Sequence, residues 1–451
     1  MDIPAIKGPA PQRAAGLIGA NGEYKSIIRL FAIAVLVWAL DYKAASSGQA
    51  AALQGAILVV FITVSFFLTI FCLRRNIDAG RLWVLMLVTT VFIVDSTIVG
   101  LSLGQPGYAI FVNAIPSFNY ICASAITFMT LRAIKDQSAF LDVLRGACVI
   151  FGAAHILIAI LSRGAINTSS TRYEVLSAAT IPSLAIIAIG VIKRLSKLDL
   201  VIIILNLAIS LLSVTRTLLA VLAIQIAAIF IARPSIAFKR STLKGLSLIG
   251  IALSIVLALD YGSGTGLADR WITRLTVSHK VGVDPTALSR SAEVHFMLQG
   301  FIYSTERALF GNGLAALTSL TGPDAALAAS IVGRQSLIFH SVGFGHENYV
   351  SILFVAGALG GGGLILLQLL NGLQSLALIR KIESAKFDEL SAAAHAGLWG
   401  ALIVIGELVV GLFGGTMADR DACLWFGIGT GMMYWARYRF SEARGDPKAT
   451  P

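Results

Sequence analysis

Ionisable side chains are scarce in this chain, and three of them fall where chemistry could be assembled. Arg216 stands in Ser213-Val-Thr-Arg-Thr217, Arg290 in Leu288-Ser-Arg-Ser291, and His346 in Gly345-His-Glu-Asn-Tyr349, directly before a long apolar run. A guanidinium presents a planar fork of donors that matches phosphate oxygens, so two of them suit a diphosphate. An imidazole can take up a proton near neutral pH. Together the trio would make a site for displacing a lipid diphosphate, without a metal or cofactor. Glu347, Asn348 and Tyr349 would be further substrate-binding groups beside it.

Each residue alone also has an ordinary structural role. Arg216 could snorkel from a span end to headgroups. Arg290 could pair with Glu293 one helical turn on, and His346 could bond to loop backbone at the interface. Two acids, Asp95 in Phe92-Ile-Val-Asp-Ser96 and Glu407 in Val404-Ile-Gly-Glu-Leu408, lie inside apolar runs. A carboxylate in hydrocarbon is costly and usually faces a cavity or a partner. Either could line an acceptor cavity, pair with Arg216, or be a protonated or interhelically bonded structural acid.

The elements that must position these groups are membrane helices. The 451-residue chain is 57% hydrophobic and only 13% charged, about half the charge of a soluble domain. Apolar runs near bilayer length recur at about 26–42, 51–72, 82–103, 107–131, 141–162, 175–192, 198–213, 216–232, 244–261, 347–370, 395–415 and 422–437. The expected fold is therefore all-α and polytopic, with about twelve transmembrane helices. Residues 1–25 form an N-terminal tail, 26–261 hold nine spans, 262–346 form one large loop, 347–437 hold three more spans, and 438–451 are a C-terminal tail. The first run has no convincing small-residue cleavage site and reads as a retained signal anchor.

Charge sets the expected orientation. With the N-terminus inside, 24 of the 35 Lys and Arg residues fall in inner segments, and the short outer ones hold only Lys43, Arg163, Arg172, Arg216 and Arg420. That asymmetry puts both termini in the cytoplasm and the trio on the outer face. It also sets aside a nucleic-acid partner, because the net charge of +11 is spread in short clusters between spans. The four cysteines lie in or at the ends of apolar runs, so no disulfide framework or metal cluster is implied. A loop as long as 262–346 is expected to be partly helical, with helical periodicity over 287–310 and a second amphipathic helix over 324–339.

Taken in order, these pieces resemble the O-antigen ligase and Wzy-type polysaccharide polymerase superfamily of bacterial inner membranes. The resemblance covers roughly residues 200–370. It comprises Thr215-Arg216 at a span start, Ser289-Arg290 in the loop, and Gly311-Asn312-Gly313 about twenty residues later. It ends with His346 followed by Tyr349 and Val350, and Gly357 and Gly360 further into the span. The chain departs from the family pattern where Glu347 separates His346 from Asn348, where Val355-Ala356 replaces an acidic residue, and where Ala308-Leu309-Phe310 lacks a proline.

The resemblance implies a GT-C-like glycosyltransferase with a periplasmic active site. Its donor would be a glycan on undecaprenyl diphosphate, its acceptor a glycan or lipid. Arg216 and Arg290 would hold the diphosphate and His346 would serve the acceptor hydroxyl in an inverting attack. Membrane lipids, a chain-length regulator and a flippase are the further expected partners. The preferred expectation is a polymerase for O-antigen or exopolysaccharide. The runner-up is a ligase transferring glycan to lipid A core. A transporter using Asp95 and Glu407 is the rival from another class; one large loop and no evident inverted repeat count against it.

Overall fold

The computed structural model describes residues 17–41, 48–73, 82–134, 136–163, 179–192, 195–213, 215–232, 282–332, 345–384 and 392–442, with scattered positions between 250 and 276. The expected span at 244–261 lies outside these residues apart from isolated positions. Among them the structure is helical, with no strand.

The helices are α1 (Leu17–Leu36), α2 (Gly48–Leu73), α3 (Leu82–Ser102), α4 (Gly107–Ala133), α5 (Gln137–Arg163), α6 (Thr180–Gly190), α7 (Lys197–Leu212) and α8 (Arg216–Ala232). The loop region contributes α9 (Pro285–Ile302), α10 (Thr305–Phe310) and α11 (Pro323–Val332). Then follow α12 (Asn348–Ala356), a π turn (Gly357–Gly361), α13 (Gly362–Ser384), α14 (Ala392–Gly411) and α15 (Arg420–Glu442). Among the described residues, six segments are long and apolar enough to cross a membrane: 53–70, 82–102, 107–133, 137–157, 348–382 and 392–411. α6 and α8 are shorter apolar helices.

Two of the expected boundaries differ for local reasons. α1 starts at Leu17, ahead of the expected Ser26. The helical stretch expected over 287–310 divides at Tyr303–Ser304, because the Ser304 hydroxyl accepts from Arg307 N–H and caps a new helix.

Glycines set the tightest packing. A Cβ at Gly427 or Gly431 of α15 would lie 2.6 Å from the Tyr120 or Ser124 carbonyl of α4, and one at Gly400 of α14 would lie 2.6 Å from the Gly429 carbonyl. This small-residue spacing lets α15 sit directly on α4 and α14, as in membrane helix pairs. Buried Trp399, Trp425 and Trp435 fill the space beside them.

Polar pairs tie the two ends of the bundle. At one end Arg145 Nε donates to Asp199 at 2.9 Å, and the Arg132 guanidinium lies 4.3 Å from the Tyr438 ring centre. At the other, Arg420 Nε donates to buried Asp41 at 3.0 Å, and Met417 N–H donates to Asn348 Oδ1 at 2.8 Å. α8, α9 and α12 begin at this second end.

The span from 348 to 382 is broken rather than continuous. Gly357 has φ +61° and its Cβ would lie 2.3 Å from the Leu309 carbonyl; Gly311 has φ +81° and its Cβ would lie 2.3 Å from the Val355 oxygen. Only glycine fits either place. The loop turn Gly311–Gly313 thus lodges in the break. Asn312 N–H donates to Phe354 O at 2.8 Å and Gly313 N–H to Val355 O at 2.9 Å. Those two carbonyls, freed by the π turn, are satisfied by the loop.

Candidate functional site

The site is built where three helix starts meet. Asp284 precedes Pro285, a pairing suited to a helix N-terminus, and its Oδ1 accepts from Thr286 N–H at 2.9 Å. Its other oxygen accepts from Arg216 Nη2 at 2.5 Å. One carboxylate therefore caps α9 and fixes the first residue of α8 to it. Burial opposes ionisation of Asp284, but the hydrogen bond from Arg216, the capping amides and the adjacent positive charge hold it below the usual carboxylate range.

A cavity of about 540 Å³ opens between these elements. Arg216 and Thr217 line it from α8, Arg290 and Ser291 from α9, Glu347 from the mouth of α12, and Phe413 from beyond α14. Burial pushes the Arg290 guanidinium down from its ordinary value; Glu347 opposes that shift, and Arg216 adds to it as a like charge. Arg290 Nε is buried without a hydrogen-bond partner. Burial likewise pushes the Glu347 carboxyl up, against the opposing pull of Arg290. The cavity is thus lined by two guanidiniums in each other's field.

His346 stands beside the cavity rather than in its wall. Its Nδ1 lies 2.9 Å from Glu293 Oε2, and its main-chain N–H donates to the same oxygen at 3.0 Å. An ionised carboxylate can only accept, so in the neutral imidazole Nδ1 carries the hydrogen and Nε2 the lone pair. Glu293 is 4% exposed and the imidazole 61% exposed. The ring is held by a buried acid and offers its basic nitrogen outward.

The other expected residues lie elsewhere. Asn348 is buried and bonded to Met417 N–H, so it joins α12 to the turn before α15. The Tyr349 hydroxyl donates to Leu408 O at 2.8 Å, binding α12 to α14. Asp95 faces the π turn, where a Cβ at Gly360 would lie 2.8 Å from its Oδ2. Glu407 is buried in α14. Neither acid lines the cavity, and the carboxylate on Arg216 is Asp284.

The sequence matches no protein-family model and no curated protein. What marks the site is its own geometry. Sequence spacing alone does not mark Asp284 or Glu293 as functional. The Asp-Pro pair at 284–285 is a recognisable helix start, and Glu293 falls one turn after Arg290, but neither pattern names its partner across the fold.

Proposed function

We propose that this protein is a membrane glycosyltransferase that moves a glycan from undecaprenyl diphosphate to an acceptor sugar hydroxyl, extending a polysaccharide. The observation that carries this reading is the pair Arg216 and Arg290, from segments far apart in sequence, lining one cavity. The mutual field of two guanidiniums favours an anion with several oxygens. The resemblance to the O-antigen ligase and Wzy-type polymerase superfamily supplies the substrate class, a GT-C-like fold of about twelve spans, and a periplasmic site in a bacterial inner membrane. The basic clusters between spans support that orientation.

In the proposed reaction the acceptor hydroxyl attacks the anomeric carbon from the face opposite the diphosphate. His346 Nε2 takes the hydroxyl proton as the new C–O bond forms. The bond to the diphosphate breaks, and its electron pair leaves on the phosphate oxygen. Negative charge grows there, so fixed guanidiniums stabilise the transition state more than the bound donor. Glu293 holds the imidazole in the required tautomer and stabilises the imidazolium.

The test is turnover by purified protein given a polyprenyl-diphosphate-linked saccharide in detergent. Products of increasing chain length are expected; transfer only to added lipid A core would make it a ligase instead. Absence of any transfer, with the protein folded and the donor intact, would refute the enzyme.

A further inference from the structure

The loop region between α8 and α12 carries apolar surface that the cavity does not use. α9 runs beside α12 in the same direction. Glu293 meets His346, the Ser351 hydroxyl reaches Met297 Sδ at 3.4 Å, and a Cβ at Gly300 would touch Phe354. α9 therefore descends along the span instead of standing above it. After α10, the turn at Gly311–Gly313 bonds to the carbonyls of Phe354 and Val355, and Leu314 N–H donates to Ser96 O at 3.1 Å. Ser96 lies about 9 Å along α3 from its end at Ser102.

The segment leaves large apolar side chains uncovered: Ile302 is 70% exposed, Tyr303 79% and Leu317 68%, with Leu298 and Leu309 also exposed. They continue the exposed faces of α3 and α4, where Ile98, Leu101, Leu103 and Tyr108 are likewise uncovered. Gln105, between those two helices, joins the surfaces by donating to Asn312 O at 2.6 Å and accepting from Ala315 N–H at 2.9 Å.

We propose that α9, α10 and the glycine turn form a re-entrant hairpin, inserted among the lipid acyl chains at the cavity end of the bundle. Irregular backbone survives at that depth only where its polar groups are paired within protein. The turn meets that condition through Phe354, Val355 and Ser96. The charges of α9 are turned to its own partners, Arg290 to the cavity and Glu293 to His346, and in α10 Arg307 bonds Asn312 Oδ1 and lies 5.5 Å from the Tyr303 ring centre, so its charge is paired within the hairpin. This placement does not depend on the reaction proposed above.

The test uses the full chain in phosphatidylethanolamine–phosphatidylglycerol vesicles, with a nitroxide attached through Ile302→Cys or Leu317→Cys. Ile98→Cys serves as the lipid-facing reference and Glu442→Cys as the aqueous one; the unsubstituted chain, labelled in parallel, sets the background. Both test positions are mostly exposed, so packing is preserved, and monodisperse elution before reconstitution checks it. Relaxation by oxygen is compared with relaxation by a water-soluble nickel chelate. Oxygen should dominate at both positions, as at Ile98. Dominance of nickel, as at Glu442, would place the hairpin in water. Low access to both would mean another polypeptide covers it. Either result overturns the proposal.

Discussion

Replacing Glu293 by glutamine probes the imidazole without touching the cavity wall. One oxygen, Glu293 Oε2, accepts from both His346 Nδ1 and the His346 main-chain N–H. The main-chain donor cannot reverse its polarity, so glutamine must keep its oxygen at that position. The tautomer then survives, and the change is the loss of one charge. Hydrogen bonds to charged groups contribute about 1.5–3 kcal/mol, neutral ones about 0.5–1.5. A difference of roughly 1–2 kcal/mol, expressed as the imidazolium forms, corresponds to about a 5- to 30-fold fall in kcat. KM for the lipid-linked donor should not rise, because Glu293 does not line the cavity and the charge removed is a negative one in the field of Arg290. Initial rates of chain extension by purified Glu293→Gln protein measure both. Wild-type kcat, or a rise in KM alone, would refute the role given to Glu293 and weaken that of His346.

Other perturbations address the remaining parts. Arg216→Lys keeps the charge but loses the planar fork that Asp284 and the diphosphate share; a fall of about 10- to 100-fold in kcat/KM is expected, equivalent to roughly 1.4–2.8 kcal/mol. Glu347 has its carboxyl raised by burial, so on acidification it loses its charge before an ordinary glutamate would. Diphosphate affinity should therefore rise through that pH step in wild type and lack the step in Glu347→Gln. By the same sign, the ionised carboxylate disfavours the folded state as pH rises through that range, and Glu347→Gln should melt at the same or higher temperature at neutral pH. Gly311→Ala places a Cβ 2.3 Å from the Val355 oxygen at φ +81°, for a loss on the order of 2–6 kcal/mol from strain and overpacking. Gly362→Ala, with nothing within 4 Å, should be nearly neutral. Thermal unfolding in detergent separates the two.

Apolar run length made most of the helices readable in advance. α3, α4, α7 and α8 begin within a residue of expectation and α14 within three, because a run of apolar residues is read without tertiary context. Convergence of Arg216, Arg290 and Glu347 on one cavity follows from their sharing one end of the bundle, which alternation of spans already implied. Partner choice was not legible. The sequence offers Asp95 and Glu407 as acids for Arg216, yet the cap at Asp284 holds it, since pairing across segments leaves no local periodicity. Glu293 lies in the field of Arg290, one turn away, and its bond to His346 across the fold is the part that spacing does not encode. The glycines at 357 and 360–363 signalled close approach. That a loop turn enters there and breaks the span depends on two distant glycines meeting, which neither stretch encodes alone.

The most direct measurement is the affinity of purified protein for undecaprenyl diphosphate, in wild type, Arg216→Gln, Arg290→Gln and the double variant. If both guanidiniums hold one diphosphate, each single substitution should weaken binding, and the double should differ from the product of the singles, because the two groups share a ligand. Unchanged affinity in either single variant, or losses that multiply independently, would contradict a shared diphosphate site.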